Sequence, residues 1–164
     1  MHHRRACLPW VGVIVACVVV AGCKNANEPT PQVAATAGFF QLLNVNSTPV
    51  PTVTAPKPPN TCPGFTNSGT LLLTVNPQGY EVQLGTNFDC LNGTGPTFND
   101  KETGTWSLSG GPAAFTLTFT PTGTSALHLS PANVEGAHLT LSFDAQHQDA
   151  GAPKVTVNSE WRKQ

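Results

Sequence analysis

Residues 68–84 read "SGTLLLTVNPQGYEVQL", and this stretch decides the fold. Apolar residues occupy every second position on both sides of a central turn signal: Leu71, Leu73 and Val75 before it, and Tyr80, Val82 and Leu84 after it. A period of two is typical of a strand with one buried face. The turn signal, Asn76-Pro77-Gln78-Gly79, is rich in turn-forming residues. The stretch therefore predicts a β-hairpin.

The same pattern continues in both directions along the chain. Further alternating runs hold "GFFQLLNVN" (residues 38–46), Trp106 and Leu108, Phe115 to Phe119, Leu127 and Leu129, Leu139 to Phe143, and Val155 to Trp161. Glycine-rich turn signals separate several of them, as at Ser109-Gly110-Gly111 and Glu135-Gly136. No segment has a sustained helical period with caps. The sequence predicts an all-β domain of about eight short strands.

Eight antiparallel strands with one apolar face form either a sandwich or a closed barrel. Strands that follow one another through hairpins favour an up-and-down barrel, because closure removes exposed sheet edges. The Pro-rich residues 47–64, "STPVPTVTAPKPPNTCPG", are excluded from any central strand. We therefore predict a single antiparallel up-and-down barrel.

The order of the segments resembles the small lipocalin-like domains of bacterial lipoproteins. The segments that carry this resemblance are "GFFQLLNVNSTPVP", the hairpin stretch, "ETGTWSLSGGPAAFTLTF", "VEGAHLTLSFD" and the terminal "VNSEWRKQ". The resemblance spans residues 38–163 and implies a lipocalin-like barrel. Gly38-Phe39-Phe40 stands where true lipocalins carry Gly-x-Trp, and the Gly-Thr-Trp of this chain lies at residues 104–106.

The N-terminus has the pattern of an export signal. Arg4 and Arg5 precede an uncharged, Val-rich run over residues 8–21, which is short against the ~20 residues of a membrane-spanning helix. The run ends in Val20-Ala21-Gly22-Cys23, which resembles the lipobox of bacterial lipoproteins. The resemblance implies a signal peptide over residues 1–22, a lipid on Cys23, a flexible tether over residues 23–37 and the barrel over residues 38–164. An uncleaved anchor and the twin-arginine route are the alternatives.

An extracytoplasmic location follows from the lipobox, with the domain in the cell envelope and the lipid in a membrane. Lys24 stands where an aspartate retains enterobacterial lipoproteins in the inner membrane, so the outer membrane is favoured. Of the five cysteines, Cys7 and Cys17 leave with the signal peptide and Cys23 takes the lipid. Cys62 and Cys90 then remain as an even pair in an oxidising compartment, either as a disulfide or as two buried thiols.

The composition argues against nucleic acid and against catalysis. Six of the eight Lys and Arg residues follow Cys23, against nine Asp and Glu residues, so no basic surface is available for a phosphate backbone. His128, His138 and His147 have the side chain for zinc or copper, but a solvated surface explains them, and we expect neither a metal nor a cofactor. No serine lies in a Gly-x-Ser-x-Gly elbow. Asp100, Lys101 and Glu102 are expected in a solvated loop.

The aromatic residues are the remaining candidates for a site. An eight-stranded barrel is just wide enough for side chains to fill it, so a filled core and a small ligand cavity are both open, and we expect the filled core. Trp106 and Trp161 are the predicted ligand contacts if they lie near an open end. Two functional classes follow: a non-catalytic lipoprotein with a structural or small-apolar-ligand role, and a protein inhibitor of an extracytoplasmic hydrolase. The inhibitor would use residues 91–102, "LNGTGPTFNDKE", as a rigid loop fastened at Cys90.

Overall fold

The computed structural model describes residues 28–55, 63–90, 93–111, 114–124, 127–145 and 155–164. The elements are one short helix and ten strands: α1 (Pro31–Thr36), β1 (Gly38–Val45), β2 (Thr48–Pro49), β3 (Thr52–Ala55), β4 (Gly64–Val75), β5 (Gln78–Cys90), β6 (Gly93–Gly111), β7 (Ala114–Pro121), β8 (Ala132–Glu135), β9 (His138–Ala145) and β10 (Val155–Lys163). The signal peptide, Cys23, Cys62 and His147 lie outside the described residues.

Eight of the strands form a closed barrel. From β4 to β10 each strand pairs antiparallel with the next strand along the chain. β10 then pairs with β1, and β1 pairs with β4, which closes the ring. β2 and β3 stay outside it, at the edges of the sheet, as expected for a Pro-rich segment. The predicted antiparallel up-and-down barrel is confirmed.

The hairpin predicted from residues 68–84 is present, and its register explains the alternation. Leu71 lies opposite Val82, and Leu73 lies opposite Tyr80. All four side chains are buried in the barrel. At the turn, the Thr74 hydroxyl donates to the carbonyl oxygen of Pro77 at 2.8 Å. The apolar residues therefore share the inner face because pairing keeps the period of two in register.

The barrel has two different ends. The short turns of the β4–β5 and β8–β9 hairpins, α1 and the C-terminal Gln164 lie at one end, which we call the α1 end. Residues 122–124 and 127–131, between β7 and β8, lie at the opposite end, which we call the loop end. α1 crosses the α1 end and forms a cleft of about 310 Å³ with the β6–β7 hairpin.

α1 lies inside residues 23–37, for which the sequence predicted no helix. Thr30 caps it by accepting a hydrogen bond from the Val33 amide, and Pro31 occupies its first turn. Val33 and Ala37 pack against the barrel core. The Lys163 ammonium donates to the carbonyl oxygen of Ala35 at 2.7 Å. Within the range expected to be a flexible tether, residues 31–36 are therefore helical and rest on the barrel.

Two expectations about strands and loops are also wrong. Residues 91–102 were expected in a loop, but residues 93–102 belong to β6, which pairs with β5 as far as Cys90 and Gly93. Pairing with a neighbouring strand overrides the weak strand propensity of this polar sequence. Residues 127 and 129 were expected in a strand, but residues 127–131 form a loop, in which His128 has a φ of 45°.

Candidate functional site

Trp161 fills the centre of the barrel. Its side chain is 0% exposed, and its indole N–H donates to the Ser159 hydroxyl at 2.9 Å. The Ser159 hydroxyl in turn donates to the Leu141 carbonyl oxygen at 2.8 Å. A Cβ on Gly69 would lie 2.9 Å from Cη2 of the indole, so the ring reaches across β1 to β4. The indole therefore belongs to a packed and satisfied interior.

Trp106 has a similar role nearer the α1 end. It is buried, and its indole N–H donates to the Thr74 carbonyl oxygen at 2.9 Å. The bond reaches from β6 across β5 to β4. Both tryptophans that the sequence proposed as ligand contacts are therefore inside the barrel, each with a hydrogen-bonded indole, and neither lies at an open end.

The sequence missed a buried acidic side chain, Glu102. It is only 6% exposed and lies on β6 opposite Val82, although we expected it in a solvated loop. The Tyr80 hydroxyl donates to its Oε1 at 2.8 Å. Burial raises the pKa of Tyr80 above its ordinary value, and the hydrogen bond to Glu102 and its charge raise it further. Glu102 precedes Trp106 by four residues, so the two side chains lie on the same, inner face of β6. This spacing was the signal from which the burial of Glu102 could have been predicted.

Residues 127–131 close the loop end, and we call them the plug loop. Leu127 is 1% exposed, and its amide donates to Glu102 Oε2 at 3.3 Å. Its carbonyl oxygen accepts from the Asp144 amide at 2.8 Å. Glu102 therefore joins β6, β5 and the plug loop, because its two oxygens accept from Leu127 and Tyr80.

The plug loop is also bound to β9. The Ser130 amide donates to the Ser142 carbonyl oxygen at 2.9 Å, and the Ser142 amide donates to the Ser130 hydroxyl at 2.8 Å. His128 Nδ1 lies 2.7 Å from Asp144 Oδ2, and Asp144 Oδ1 accepts from the Thr156 hydroxyl. The loop is therefore fixed on two sides of the barrel.

A half-open pocket of about 250 Å³ lies beside the plug loop. It is lined by Glu102, Phe119, Pro121, His128 and Leu129. Phe119 meets Tyr80 edge-on, with ring centroids 5.0 Å apart. Drug-sized ligands occupy roughly 300–1,000 Å³, so the pocket fits only a small molecule. Chemically, an aromatic wall beside a carboxylate suits a small cation or hydrogen-bond donor.

Those of the other candidate residues that the structure describes are not assembled into a site. Among the described residues no group of three or more His, Cys, Asp and Glu side chains could hold a metal ion. His128 pairs with Asp144, which lies six residues from His138 on β9, or roughly 20 Å along the strand. His147 and Cys62 lie outside the described residues, and Cys90 ends β5.

Comparison of the chain with protein-family models, curated proteins and solved structures found no match. In the part of the chain that the structure describes, no helix has the length and apolar character needed to cross a bilayer. The geometry of the barrel and the sequence of the N-terminus therefore carry the functional argument.

Proposed function

We propose that the protein is a lipid-anchored bacterial lipoprotein whose barrel is a non-catalytic structural module in the cell envelope. One observation favours a structural role over the role of a ligand carrier. Trp161, Phe40 and Phe143 are fully buried inside the barrel, and the plug loop covers the loop end. A carrier of apolar ligands needs an open lumen of ligand size. The filled interior therefore favours a structural role over a carrier that holds its ligand inside the barrel.

The anchor itself rests on the sequence. Val20-Ala21-Gly22-Cys23 follows an uncharged run with Arg4 and Arg5 before it, which is the order of a lipoprotein signal. Envelope location, membrane attachment and the favoured outer membrane all depend on Cys23. Mass spectrometry of the mature protein is expected to find an acylated Cys23 at the N-terminus, and metabolic labelling with an alkyne analogue of palmitate is expected to mark it. Cys23→Ala is expected to abolish labelling and leave unprocessed precursor. An intact Met1 peptide from wild-type membranes would exclude the anchor.

The disulfide is part of the same proposal. Cys62 lies outside the described residues, but its neighbour Pro63 accepts a hydrogen bond from the amide of Asp89 at 3.1 Å. Asp89 directly precedes Cys90. The residues adjacent to the two cysteines are thus in contact, and this supports a Cys62–Cys90 bond in an oxidising compartment.

A hydrolase inhibitor is the second candidate. Its expected loop, residues 91–102, is largely strand β6, so the entering element would be the tip of the β5–β6 hairpin. The two strands stay paired up to Cys90 and Gly93, which gives the arm the rigidity that an inhibitor needs. Assays against lysozymes and extracytoplasmic proteases test it, with a variant shortened at the tip as the control. Equal activity of both forms, or no inhibition by either, would exclude this role.

A further inference from the structure

Two exposed apolar side chains lie next to each other at the α1 end of the barrel. Phe39 is 44% exposed and Leu72 is 41% exposed. They are register partners on the closing pair of strands, β1 and β4, where side chains on the same face are in contact range. A single exposed apolar residue is ordinary, but a directly paired Phe and Leu interrupts an outer face otherwise rich in Thr, Gln and Ser.

The chain enters the barrel directly beside this pair. Phe39 is the second residue of β1, and α1 ends only three residues before it. α1 is fixed to the barrel through the Lys163 contact to Ala35 and the packing of Val33. The Lys163 stem passes over Gly38, where a Cβ would lie 2.5 Å from Cε of Lys163. The point at which the chain leaves the domain is therefore fixed at the α1 end.

The docking of α1 also shortens the connection to the anchor. Between a lipid on Cys23 and the first described residue, Glu28, there are five Cα–Cα steps. Even a fully extended chain spans at most about 18 Å over that length. The α1 end is thus kept close to the bilayer, whereas a tether reaching to residue 37 would have left the domain free to turn.

The turns at the α1 end suit a headgroup surface. Asn76 and Pro77, Gly110 and Gly111, and Gly136 and Ala137 are exposed and carry no charge. Phe and Leu side chains are favoured where an amphipathic surface lies in the boundary between headgroups and acyl chains. Proximity, uncharged turn residues and an exposed apolar pair therefore occur at the same end, where Glu135, Arg162 and Lys163 supply the charged side chains.

We propose that the α1 end of the barrel faces the membrane, with Phe39 and Leu72 resting in the bilayer interface beside the lipid anchor. This inference rests on the proposed lipoprotein function. The binding partner of Phe39 and Leu72 is the lipid surface itself. The loop end with its plug loop then points away from the membrane.

The test uses the mature lipidated protein, which begins at Cys23, in vesicles whose acyl chains carry bromine, a short-range quencher of tryptophan. Phe39→Trp places a probe at the proposed interface. Val53→Trp is the matched control, because Val53 is also an exposed apolar residue, 50% exposed, but lies on β3 outside the barrel ring. Wild-type protein gives the background from the buried Trp106 and Trp161.

Extra quenching at position 39 and none at position 53 is the expected result. Equal quenching at the two positions, or none at position 39, would overturn the orientation. Mass spectrometry of each preparation separates the two proposals. An acylated protein without quenching at position 39 refutes the orientation alone, whereas a protein without an acyl chain on Cys23 refutes the lipoprotein function and the orientation with it.

Discussion

At the scale of single residues, the hydrogen bond between Tyr80 and Glu102 gives the protein a measurable pH dependence. Tyr80 is the only tyrosine in the chain, so tyrosinate absorbance reports on it alone. Its folded-state pKa is raised above the ordinary value of 10.0. A raised folded pKa contributes stability that is fully present below the unfolded pKa and is lost as pH rises through the folded pKa. Tyr80 is therefore expected to stay protonated beyond pH 10 until the domain unfolds.

Tyr80→Phe tests the same bond by stability. Removing the hydroxyl leaves Glu102 with one donor fewer in a buried site, which costs about 1–3 kcal/mol. Denaturant unfolding at neutral pH is expected to show this loss. The difference between wild type and Tyr80→Phe should narrow above pH 10, because only the wild-type unfolded state gains an ionised tyrosine. A normal tyrosine titration in the folded wild type would contradict the buried hydrogen bond.

Gly69 is the residue that makes room for Trp161. A Cβ there would lie 2.8 Å from Leu84 Cδ2 and 2.9 Å from Leu42 Cβ, in addition to its contact with the indole. Overpacking of this kind costs about 1–3 kcal/mol, so Gly69→Ala is expected to lower the free energy of unfolding by that amount. Gly111→Ala is the control, because a Cβ there meets nothing within 4 Å. Equal stability of the two variants would show that the interior is loosely packed.

At the scale of elements, Glu102 joins the plug loop to β6 and β5. An amide in its place has only one oxygen to accept from both Tyr80 and Leu127, and its NH₂ group would face a donor. Glu102→Gln is expected to cost about 1–3 kcal/mol and to speed hydrogen exchange at the Leu127 amide. Glu81→Gln on the neighbouring strand is the control, since the ion pair of Glu81 with Lys101 is exposed and such pairs contribute little. Unchanged exchange in Glu102→Gln would refute the connection.

The proposed disulfide also belongs to this scale, because it would join the segment before β4 to the end of β5. Non-reducing peptide mapping of exported protein is expected to recover one peptide pair linked through Cys62 and Cys90. The closed loop of 28 residues corresponds to a stabilisation of roughly 3–4 kcal/mol in the chain-entropy estimate. Reduced protein should therefore melt at a lower temperature. Two free thiols in exported protein would exclude the bond.

Strands could be predicted from the sequence where one face of the strand is buried and the other exposed, because apolar residues then occupy every second position. The alternation of residues 68–84 gave the β4–β5 hairpin because every second residue lies inside the barrel. Leu127 and Leu129 have the same spacing, yet they lie in the plug loop, because long-range bonds to Glu102 and Asp144 hold the chain there. The local pattern also could not reveal that residues 97–102 are paired. These polar residues form a strand because they are hydrogen-bonded to β5. Glu102 was missed because its polar neighbours predicted a loop, although its spacing of four residues from Trp106 places both on the inner face of β6.

At the scale of the whole molecule, closure of the barrel is the feature that local patterns do not contain. The pairing of Gly38 with Leu73 and of Gln41 with Thr70 joins strands at a distance in the chain. It was expected only from the general argument that free sheet edges are avoided. The filled interior was expected because aromatic and leucine side chains are numerous for so small a volume. The packing of Trp161 against Gly69 depends on register, which the sequence does not fix.

The filled interior leads to a last prediction about ligands. Wild-type protein is expected to show no saturable binding of fatty acids or other apolar probes in the lumen, because Trp161 already occupies its centre. Trp161→Ala should lower stability by about 3–5 kcal/mol and leave an apolar space shaped like the lost ring. Dry cavities of this kind bind small aromatic molecules, so indole should raise the melting temperature of Trp161→Ala and leave wild type unchanged. Indole or fatty acid binding by wild type with quenching of its tryptophans would instead restore a carrier function, since it would require a lumen that opens.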